Sequence, residues 1–193
     1  MKVDETAMAG KKGRRRGRQR SSGATEAAHK AALKLAHELG PEKVTIERIA
    51  AASGVAKTTI YRRWPNAAAV VMDAFLADIQ PLIAYRRGKT LRETFTNALN
   101  DLARALDPAR RDLLRHLVGA AQFDPDLARA FWENWIAPRR EEGQSAIQAA
   151  GLSRKEGEIL LDLLFGAFYY RMLIPYAEID AAWVKALVKR VVP

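Results

Sequence analysis

The chain has 193 residues, 49% of them hydrophobic, so it is long enough to bury one sizeable core and a small satellite domain. It contains no cysteine, which excludes disulfides, thiolate metal sites and cysteine nucleophiles. Its first residues are charged and lack the apolar core of a signal peptide, and no apolar run approaches the roughly 18 residues of a membrane span. We therefore expect a soluble, cytoplasmic protein with no membrane partner.

The net charge of +10 is unevenly distributed along the chain. Residues 1–22 hold eight Lys or Arg and two acidic residues, a net charge of +6, whereas residues 23–75 carry +2 and the remainder also carries +2. A basic excess at one end favours a polyanionic partner there, although a solvated tail has the same composition. We predict a disordered basic arm over residues 1–22.

Apolar residues recur at helical spacing along the rest of the chain, and strand-like alternation does not occur. From Ala24 to Leu39, the residues Ala28, Ala32 and Leu35 fall on one stripe together with Leu39. This pattern predicts a first helix, which the following Gly-Pro pair ends.

The next stretch, TIERIAAASGVAKTTIYRRWPN (residues 45–66), predicts two short helices joined by a tight turn. Gly54 follows the first helix, at a position where a left-handed backbone is common and glycine adopts it most easily. The second helix begins at about Lys57 and ends at about Trp64. In this helix Ile60 and Trp64 are four residues apart and face inward.

A helix, a glycine turn and a second helix at a steep angle form a helix-turn-helix, whose second helix can enter the major groove of DNA. Short hydroxyl side chains allow close approach to base edges, Tyr and Arg reach phosphate oxygens, and Lys neutralises charge. A helical hairpin with a basic, solvated face has the same spacing and is the structural alternative. The predicted DNA contacts are Thr45, which also caps the first helix, Lys57, Thr58, Thr59, Tyr61, Arg62 and Arg63.

These residues resemble the tetracycline-repressor (TetR) family of transcriptional regulators. The N-terminal pattern of that family is close to T-x-x-x-I-A-x-x-A-G-V-S-x-x-T-x-Y-x-x-F, and Trp64 stands in for its last aromatic residue. The resemblance implies a homodimeric regulator of transcription, usually a repressor, that binds a pseudo-palindromic operator and is released by a small apolar or aromatic effector. The matching residues are Thr45, Ile49, Ala50, Gly54, Val55, Thr59 and Tyr61.

The sequence departs from the family pattern at two positions. Ala56 replaces the serine that usually caps the second helix, and an alanine at such a position costs about 0.5 to 2 kcal/mol of stability. Ala67 replaces a lysine that often contacts a phosphate. We expect the basic arm to compensate in part through phosphates or the minor groove. The arm residues are Arg14, Arg15, Arg16, Arg18 and Arg20.

The whole chain is predicted to be all-α, with a three-helix DNA-binding domain over residues 23–70 and a helical bundle for ligand binding and dimerisation over residues 71–193. A helix from about Ala67 to Tyr85 is shared by both domains, and Pro138 is predicted to kink or interrupt a later helix. Further helix starts are predicted at Thr90 with Glu93, Asp107-Pro108, Asp124-Pro125, Ser153 with Glu156, and Asp180.

The helix that follows Ser153 contains EILLDLLFGAFYYRMLIPY, which is apolar on nearly all sides, so both of its faces need partners. One face can pack in its own domain, and the other is predicted to meet a second subunit through residues 153–176 and 180–192. A central helix in a monomeric bundle is the alternative, and the family resemblance favours the dimer. A two-fold dimer would place two recognition helices in successive major grooves, about 34 to 36 Å apart.

An effector pocket is predicted among the middle helices, where aromatic residues and a histidine gather. Mostly apolar cavities in such bundles bind small molecules, although aromatic residues at helical spacing more often form core packing. The resemblance supports the pocket as a whole. The predicted pocket residues are His116, Phe123, Phe131, Trp132, Trp135, Phe165, Phe168, Tyr169 and Tyr170.

An enzyme is the rival class, because Glu26 and His29 form an E-x-x-H motif, which can bind a metal. A di-iron bundle needs two such motifs and two further carboxylates, and no second motif is present. The sequence also lacks a glycine-rich phosphate loop and a G-x-S-x-G elbow. We therefore predict no catalytic residue, metal or cofactor. A second alternative is an architectural or division-related DNA-binding protein of the same fold that no small molecule regulates.

Overall fold

A computed structural model of the protein describes residues 13–83 and 85–193, with side chains from Ser22 onward. All regular structure in these ranges is helical, which confirms the all-α prediction. The connections include 3-10 turns at Pro41–Lys43 and Gln80–Leu82, and a wider π-helical turn at Trp132–Ile136. The α-helices are α1 (Gly13–Leu39), α2 (Ile46–Ser53), α3 (Lys57–Tyr61), α4 (Ala67–Ile79), α5 (Leu91–Ala105), α6 (Pro108–Ala121), α7 (Pro125–Phe131), α8 (Ala137–Ala149), α9 (Arg154–Leu173) and α10 (Ala181–Val191).

The first helix is longer than its apolar stripe predicts. It begins at Gly13 and not at Ala24, so the second half of the predicted disordered arm is helical. Five of the ten residues 13–22 are arginine, which is a good helix former. Residues 1–12 lie outside the described residues, as do the side chains of Arg14, Arg15, Arg16, Arg18 and Arg20.

Both ends of α2 have the predicted geometry. The Thr45 hydroxyl oxygen accepts a hydrogen bond of 3.3 Å from the Arg48 amide and caps the first turn. Gly54 ends the helix with φ of 70°, in the left-handed region, and its amide donates to the Ala50 carbonyl at 2.9 Å. A short connection of two residues then leads into α3.

The recognition helix α3 is shorter than predicted, since it ends at Tyr61. The amides of Arg63 and Trp64 both donate to the Ile60 carbonyl, at 2.9 and 3.0 Å, so the chain continues as a tight turn. Ile60 and Trp64 are buried, as predicted. Ala56 precedes the helix and provides no side-chain cap. The position of α3 therefore depends mainly on its two buried side chains.

Helix α4 joins the two parts of the molecule, as predicted. It packs against α1 of the N-terminal part on one side and against α6 and α7 on the other, and seven of its residues are buried. One continuous apolar core extends from Ala28 in α1 to Val192 after α10. The helix ends at Ile79 and not at Tyr85, because Pro81 has no amide hydrogen to continue the ladder.

The remaining helix starts were predicted correctly, because each depends on a local cap. Thr90, Asp107, Asp124, Ser153 and Asp180 all accept hydrogen bonds from backbone amides of the turn that follows. Glu156 completes the capping box of α9. At α5 the box is incomplete, since the Glu93 carboxylate accepts from the Lys89 amide at 2.7 Å instead.

The predicted interruption near Pro138 takes the form of the π-helical turn Trp132–Ile136. Proline is tolerated in the first turn of a helix, where an amide donor has no partner to lose. Pro138 lies in the first turn of α8, directly after the π turn. The wider turn is therefore the irregular feature of this segment, and it directs Trp135 into the core.

Three helical segments meet at one carboxylate of α4. The Asp73 Oδ2 atom accepts from Trp64 Nε1 at 2.9 Å and lies 3.0 Å from His29 Nε2 in α1. The His29 and Trp64 rings are 5.6 Å apart between centroids. The hydrogen bond to His29, followed by the one from Trp64, holds the pKa of Asp73 below its ordinary value although burial opposes this. His29 of the E-x-x-H motif is thus part of this junction.

Asp73→Asn is expected to lower the free energy of unfolding by about 1 to 2 kcal/mol at pH 7, because two donors lose a charged acceptor. A carboxyl whose folded pKa is depressed stabilises the protein above its unfolded pKa, here near 3.8, and this contribution is lost as the pH falls through the folded pKa. Urea unfolding from pH 7 to pH 3 measures both effects.

Glu38→Gln is the control for Asp73→Asn, since Glu38 forms an exposed pair with Lys34 at 3.8 Å. Such a pair contributes at most about 1 kcal/mol, and the control should unfold nearly as the parent does. A difference between Asp73→Asn and the parent that stays constant down to pH 3 would contradict an ionised Asp73 at the junction.

Gly54→Ala is expected to lower the free energy of unfolding by about 1 to 2 kcal/mol, because alanine is strained in the left-handed region. An added Cβ would meet nothing within 4 Å, so backbone conformation alone produces the effect. Gly23→Ala in α1 is the matched control: its Cβ also meets nothing, and alanine should stabilise this helix by up to about 1 kcal/mol. Thermal unfolding of both variants measures the two changes in stability, which are expected to have opposite signs. Changes of the same sign would contradict this expectation.

Candidate functional site

The outer face of α3 presents hydroxyl, aromatic and basic side chains to solvent. Ile60 faces the opposite way, into the core, while Thr59 and Arg63 are half-buried at the edges of the exposed face. Residues three or four positions apart lie on the same side of a helix, as Lys57 and Tyr61 do and as Thr58 and Arg62 do, so the exposed side chains form a single surface. These exposed residues, all predicted as DNA contacts, are Lys57, Thr58, Tyr61 and Arg62.

One acidic residue lies beside this surface. Lys57 Nζ is 3.2 Å from the Glu47 Oε1 atom of α2, and both side chains are more than half exposed. A hydrogen bond from its own backbone amide and the contact with Lys57 lower the pKa of Glu47. An exposed pair of this kind is weak, so Lys57 can exchange Glu47 for a phosphate at little cost.

Thr45 provides a second polar position at the start of α2. It is exposed, and its hydroxyl oxygen already accepts the capping bond from Arg48. The hydroxyl hydrogen can still be donated to an anion, and the start of a helix favours negative charge. The surface of α3 together with Thr45 can therefore contact both base edges and phosphates.

A small cavity lies in the C-terminal part of the molecule, between the α4–α5 connection, α5, the π turn, α8 and α9. Its volume is about 50 Å³. Trp135 Nε1 donates to the Tyr169 hydroxyl at 2.9 Å across the cavity wall, and burial raises the pKa of Tyr169. The lining residues are Ile83, Tyr85, Ala98, Leu102, Trp135, Ile136, Arg139, Arg140, Phe165 and Tyr169.

The predicted pocket residues separate into two groups. Trp135, Phe165 and Tyr169 line the cavity. Phe168 is buried elsewhere, with its ring 6.5 Å from that of Trp183, and Phe131 is half-buried against the core. Helical spacing identifies a helix face but not which neighbours cover it, so the prediction included residues that lie outside the cavity. The exposed members, which the structure places away from it, are His116, Phe123, Trp132 and Tyr170.

Sequence reasoning missed three polar positions of the cavity wall, Tyr85, Arg139 and Arg140. Arg139 is four residues after Trp135, and its guanidinium carbon stacks 3.4 Å from the centre of the indole ring. This i, i+4 spacing of an aromatic and a cation was readable from the sequence. Tyr85 lies in a connection without periodicity, so its position gave no signal.

A second, open groove lies where the helix-turn-helix part meets α7. Its volume is about 500 Å³, and polar side chains including Arg63, Asp73, Arg129 and Asn134 contribute to its lining. Nearby, the side-chain oxygen of Asn66 caps α4, and the side-chain nitrogen of the same residue donates to Asp124 at 3.1 Å. The groove therefore borders the same junction that Asp73 holds together.

Among the described residues, no three His, Asp or Glu side chains are grouped so that they could hold a metal ion. No helix in the described ranges combines the length and apolar character that a membrane span requires.

The fold and the exposed face of α3 define a helix-turn-helix DNA-binding regulator with a second, helical domain. Residues 29–72 match the family described as bacterial regulatory proteins, tetR family, and residues 87–191 match the tetracyclin repressor-like C-terminal domain. The chain belongs to the TetR family of transcriptional regulators. This membership confirms the resemblance found in the sequence and places the protein in a class of regulators that are not enzymes.

Several relatives support this assignment. The chain is 34% identical over 158 residues to the HTH-type transcriptional regulator YdeS of Bacillus subtilis (strain 168), covering 78% of this chain and 79% of the relative. Among solved structures, the TetR family transcription regulator SCO0332 matches with a TM-score of 0.72 and 30% identity, over 86% of this chain and 95% of that one. The flavonoid-responsive regulator FrrA shares the fold, with a TM-score of 0.63 and 16% identity over 86% of this chain and 91% of its own.

Proposed function

We propose that the protein is a homodimeric, ligand-responsive regulator, by default a repressor, that acts in the cytoplasm, binds a pseudo-palindromic operator and is released by a small, largely apolar or aromatic effector. The observation that carries this proposal is the exposed surface of α3, where hydroxyl, tyrosine and arginine side chains are presented by a helix anchored through Ile60 and Trp64. Such a surface suits a major groove, whose bases and phosphates accept hydrogen bonds.

Each exposed residue has a proposed role at the operator. Thr58 and Thr59 are short enough to approach base edges, Tyr61 and Arg62 reach phosphate oxygens, and Lys57 neutralises charge. Arg63 and Thr45 contact phosphates at the two edges of the surface. The arginines of the basic arm, Arg14, Arg15 and Arg16, add phosphate or minor-groove contacts.

The apolar outer stripe of α9 supports a dimer. Leu160, Leu161 and Leu164 pack inward. On the outer side of α9, apolar residues three or four positions apart remain exposed in the single chain, and Leu163 is 54% exposed. Contiguous exposed apolar surface of this kind is typical of an interface. An exposed glycine in the middle of the stripe allows a partner helix to approach closely. The stripe consists of Ile159, Leu163, Gly166, Tyr170, Leu173 and Ile174.

Helix α4 provides a connection between the cavity and the recognition helix. The ring of Phe75 in α4 lies 6.5 Å from that of Trp135 on the cavity wall. Two residues earlier, Asp73 holds Trp64 at the end of the helix-turn-helix. An effector that prefers one position of Trp135 therefore favours one position of α3. A typical coupling free energy of about 1 to 3 kcal/mol changes operator affinity about 5- to 150-fold.

The size of the cavity favours one alternative, a DNA-binding protein of this fold that no small molecule regulates. The volume of about 50 Å³ is little more than the space that one water molecule occupies in the liquid. Pockets for drug-sized ligands measure roughly 300 to 1,000 Å³. A screen of small molecules for operator release separates the two functions, since an unregulated protein would be released by none.

Selection of bound sequences from random duplex DNA tests the proposed function directly. The expected product is a dyad-symmetric sequence with half-sites about one helical turn, 34 to 36 Å, or a multiple of that apart. Recovery of single, unpaired half-sites would rule out the dimeric mode, and recovery of no shared sequence would rule out specific recognition.

Arg62→Ala is expected to weaken operator binding about 10-fold and to reduce the slope of log K against log salt by about one, because one phosphate contact is lost. Tyr61→Ala is expected to weaken binding by a similar factor. Fluorescence anisotropy with the selected operator at several salt concentrations measures both. Arg87→Ala is the matched control, since Arg87 is exposed far along the chain and bonds to Ser145. If the Arg62 variant and its control bound the operator with equal affinity, α3 would not be part of the DNA interface.

Leu163→Glu is expected to convert the dimer into a monomer, because two charges would be buried in an apolar contact. Sedimentation velocity at micromolar concentration measures the change. Leu82→Glu is the matched control: Leu82 is similarly exposed, at 48%, but lies in the 3-10 turn after α4. A dimer that survives Leu163→Glu, or a parent protein that is already monomeric, would contradict the proposed interface.

A further inference from the structure

Two polar groups on the wall of the small cavity have no hydrogen-bond partner among the described residues. They are the Tyr85 hydroxyl and the Nε of Arg139, and both atoms are buried. Buried polar groups are normally paired, so each unpaired group calls for an explanation. These two lie on the same cavity, in a wall that is otherwise largely apolar.

The Arg139 side chain is held in place, but its Nε donor has no hydrogen-bond partner among the described residues. Its guanidinium stacks over the Trp135 ring, and Nη1 donates to the Trp135 carbonyl at 3.0 Å, whereas Nε bonds to nothing described. No described carboxylate lies within 4 Å of it. The neighbouring Arg140 differs, because it pairs with Asp162 at 2.7 Å and with Glu158. Arg139 is therefore a cavity cation whose charge has no counterion in contact.

Tyr85 is fixed beside this cation by its surroundings. The next residue, Arg86, bonds to both carboxylate oxygens of the buried Asp101, at 2.8 and 2.9 Å. The Tyr85 ring lies edge-on to Phe95, and a Cβ on Gly143 would come within 3.1 Å of the Tyr85 hydroxyl, so this hydroxyl occupies space that a larger residue would take.

The pKa shifts of Tyr85 and Arg139 are those expected of two buried groups that lie close together. Burial raises the pKa of the Tyr85 hydroxyl, with a further rise from Glu142, while Arg139 acts in the opposite direction. Burial also lowers the pKa of Arg139, and Glu142 is among the groups that oppose this. Glu142 is exposed on α8 and forms no hydrogen bond or ion pair with either group. Tyr85 thus stays protonated and able to donate.

We infer that the effector of the proposed regulator is a small apolar molecule with a carboxylate, which accepts hydrogen bonds from Arg139 Nε and the Tyr85 hydroxyl. This inference rests on the proposed function and specifies its ligand class. A carboxylate accepts from several donors and matches the planar edge of a guanidinium. The apolar side chains of Ile83, Leu102 and Phe165 would cover the body of the molecule.

The volume of about 50 Å³ implies that such a molecule enters by shifting the lining side chains. Trp135 is central to this shift, since it carries the stacked guanidinium and also faces Phe75 of α4. A carboxylate that draws Arg139 toward it therefore acts on the residue that contacts α4. The indole ring of Trp135 then links the carboxylate of the effector, which Arg139 binds, to helix α4, which responds.

Matched acids and amides test the charge requirement. The probes are 4-phenylbutyrate and octanoate, each compared with its primary amide, which has the same size but no charge. Quenching of tryptophan fluorescence in the full-length protein measures binding. The acids are expected to bind about 10- to 100-fold more tightly than the amides, the range for hydrogen bonds to a charged group. In Arg139→Gln this ratio should fall to about one.

Two further variants complete the design. Tyr85→Phe is expected to reduce acid affinity several-fold without abolishing the preference, and Arg87→Gln is the control that should keep the parent ratio. Thermal unfolding verifies that each variant is folded. If Arg139→Gln does not fold, Tyr85→Phe still tests the inference. Equal binding of acids and amides, failure of both acids to bind the parent, or an unchanged ratio in Arg139→Gln would overturn the inference. Operator binding by the same preparations is read separately, so its loss would instead reject the proposed function.

Discussion

One carboxylate supports the position of the recognition helix, in addition to the burial of Ile60 and Trp64. Helix α3 has five residues and no side-chain cap, so it cannot hold its own orientation. Asp73 of α4 holds the indole of Trp64 at the end of the helix-turn-helix and contacts His29 of α1 with the same oxygen atom. Three segments that are distant in sequence therefore share one acceptor, and the surface of α3 is presented on a frame fixed by α1 and α4.

The same helix links this frame to the C-terminal domain. Asp73 faces the helix-turn-helix, and Phe75 faces Trp135 beside the cavity. Because most of α4 is buried between the two parts, it has little freedom to move independently of either. Under the proposed function, packing along α4 would transmit a change on the cavity wall, and the proposed ligand would act on Arg139, whose Nε has no hydrogen-bond partner among the described residues.

Local chemistry made much of the fold predictable, and tertiary packing determined the rest. The left-handed Gly54, the caps at Thr45 and Ser153 and the two-sided apolar pattern of α9 are readable within a few residues, and the structure has all of them. Only part of the cavity could be read in this way: Trp135, Phe165 and Tyr169 were among the predicted residues, but Tyr85 belongs to no periodic segment. Aromatic residues such as Phe123, which is 91% exposed, show that composition alone does not identify a pocket.

The distance between α3 and the C-terminal domain tests the role of Asp73 most directly. Since the chain has no cysteine, spin labels can be placed at Thr58→Cys and Lys155→Cys alone, and dilution with unlabelled protein isolates the distance within one chain. Pulsed electron resonance should give a narrow distribution in the parent and a clearly broader one in Asp73→Asn at pH 7. The same narrow distribution in both proteins would show that Asp73 does not fix the recognition helix.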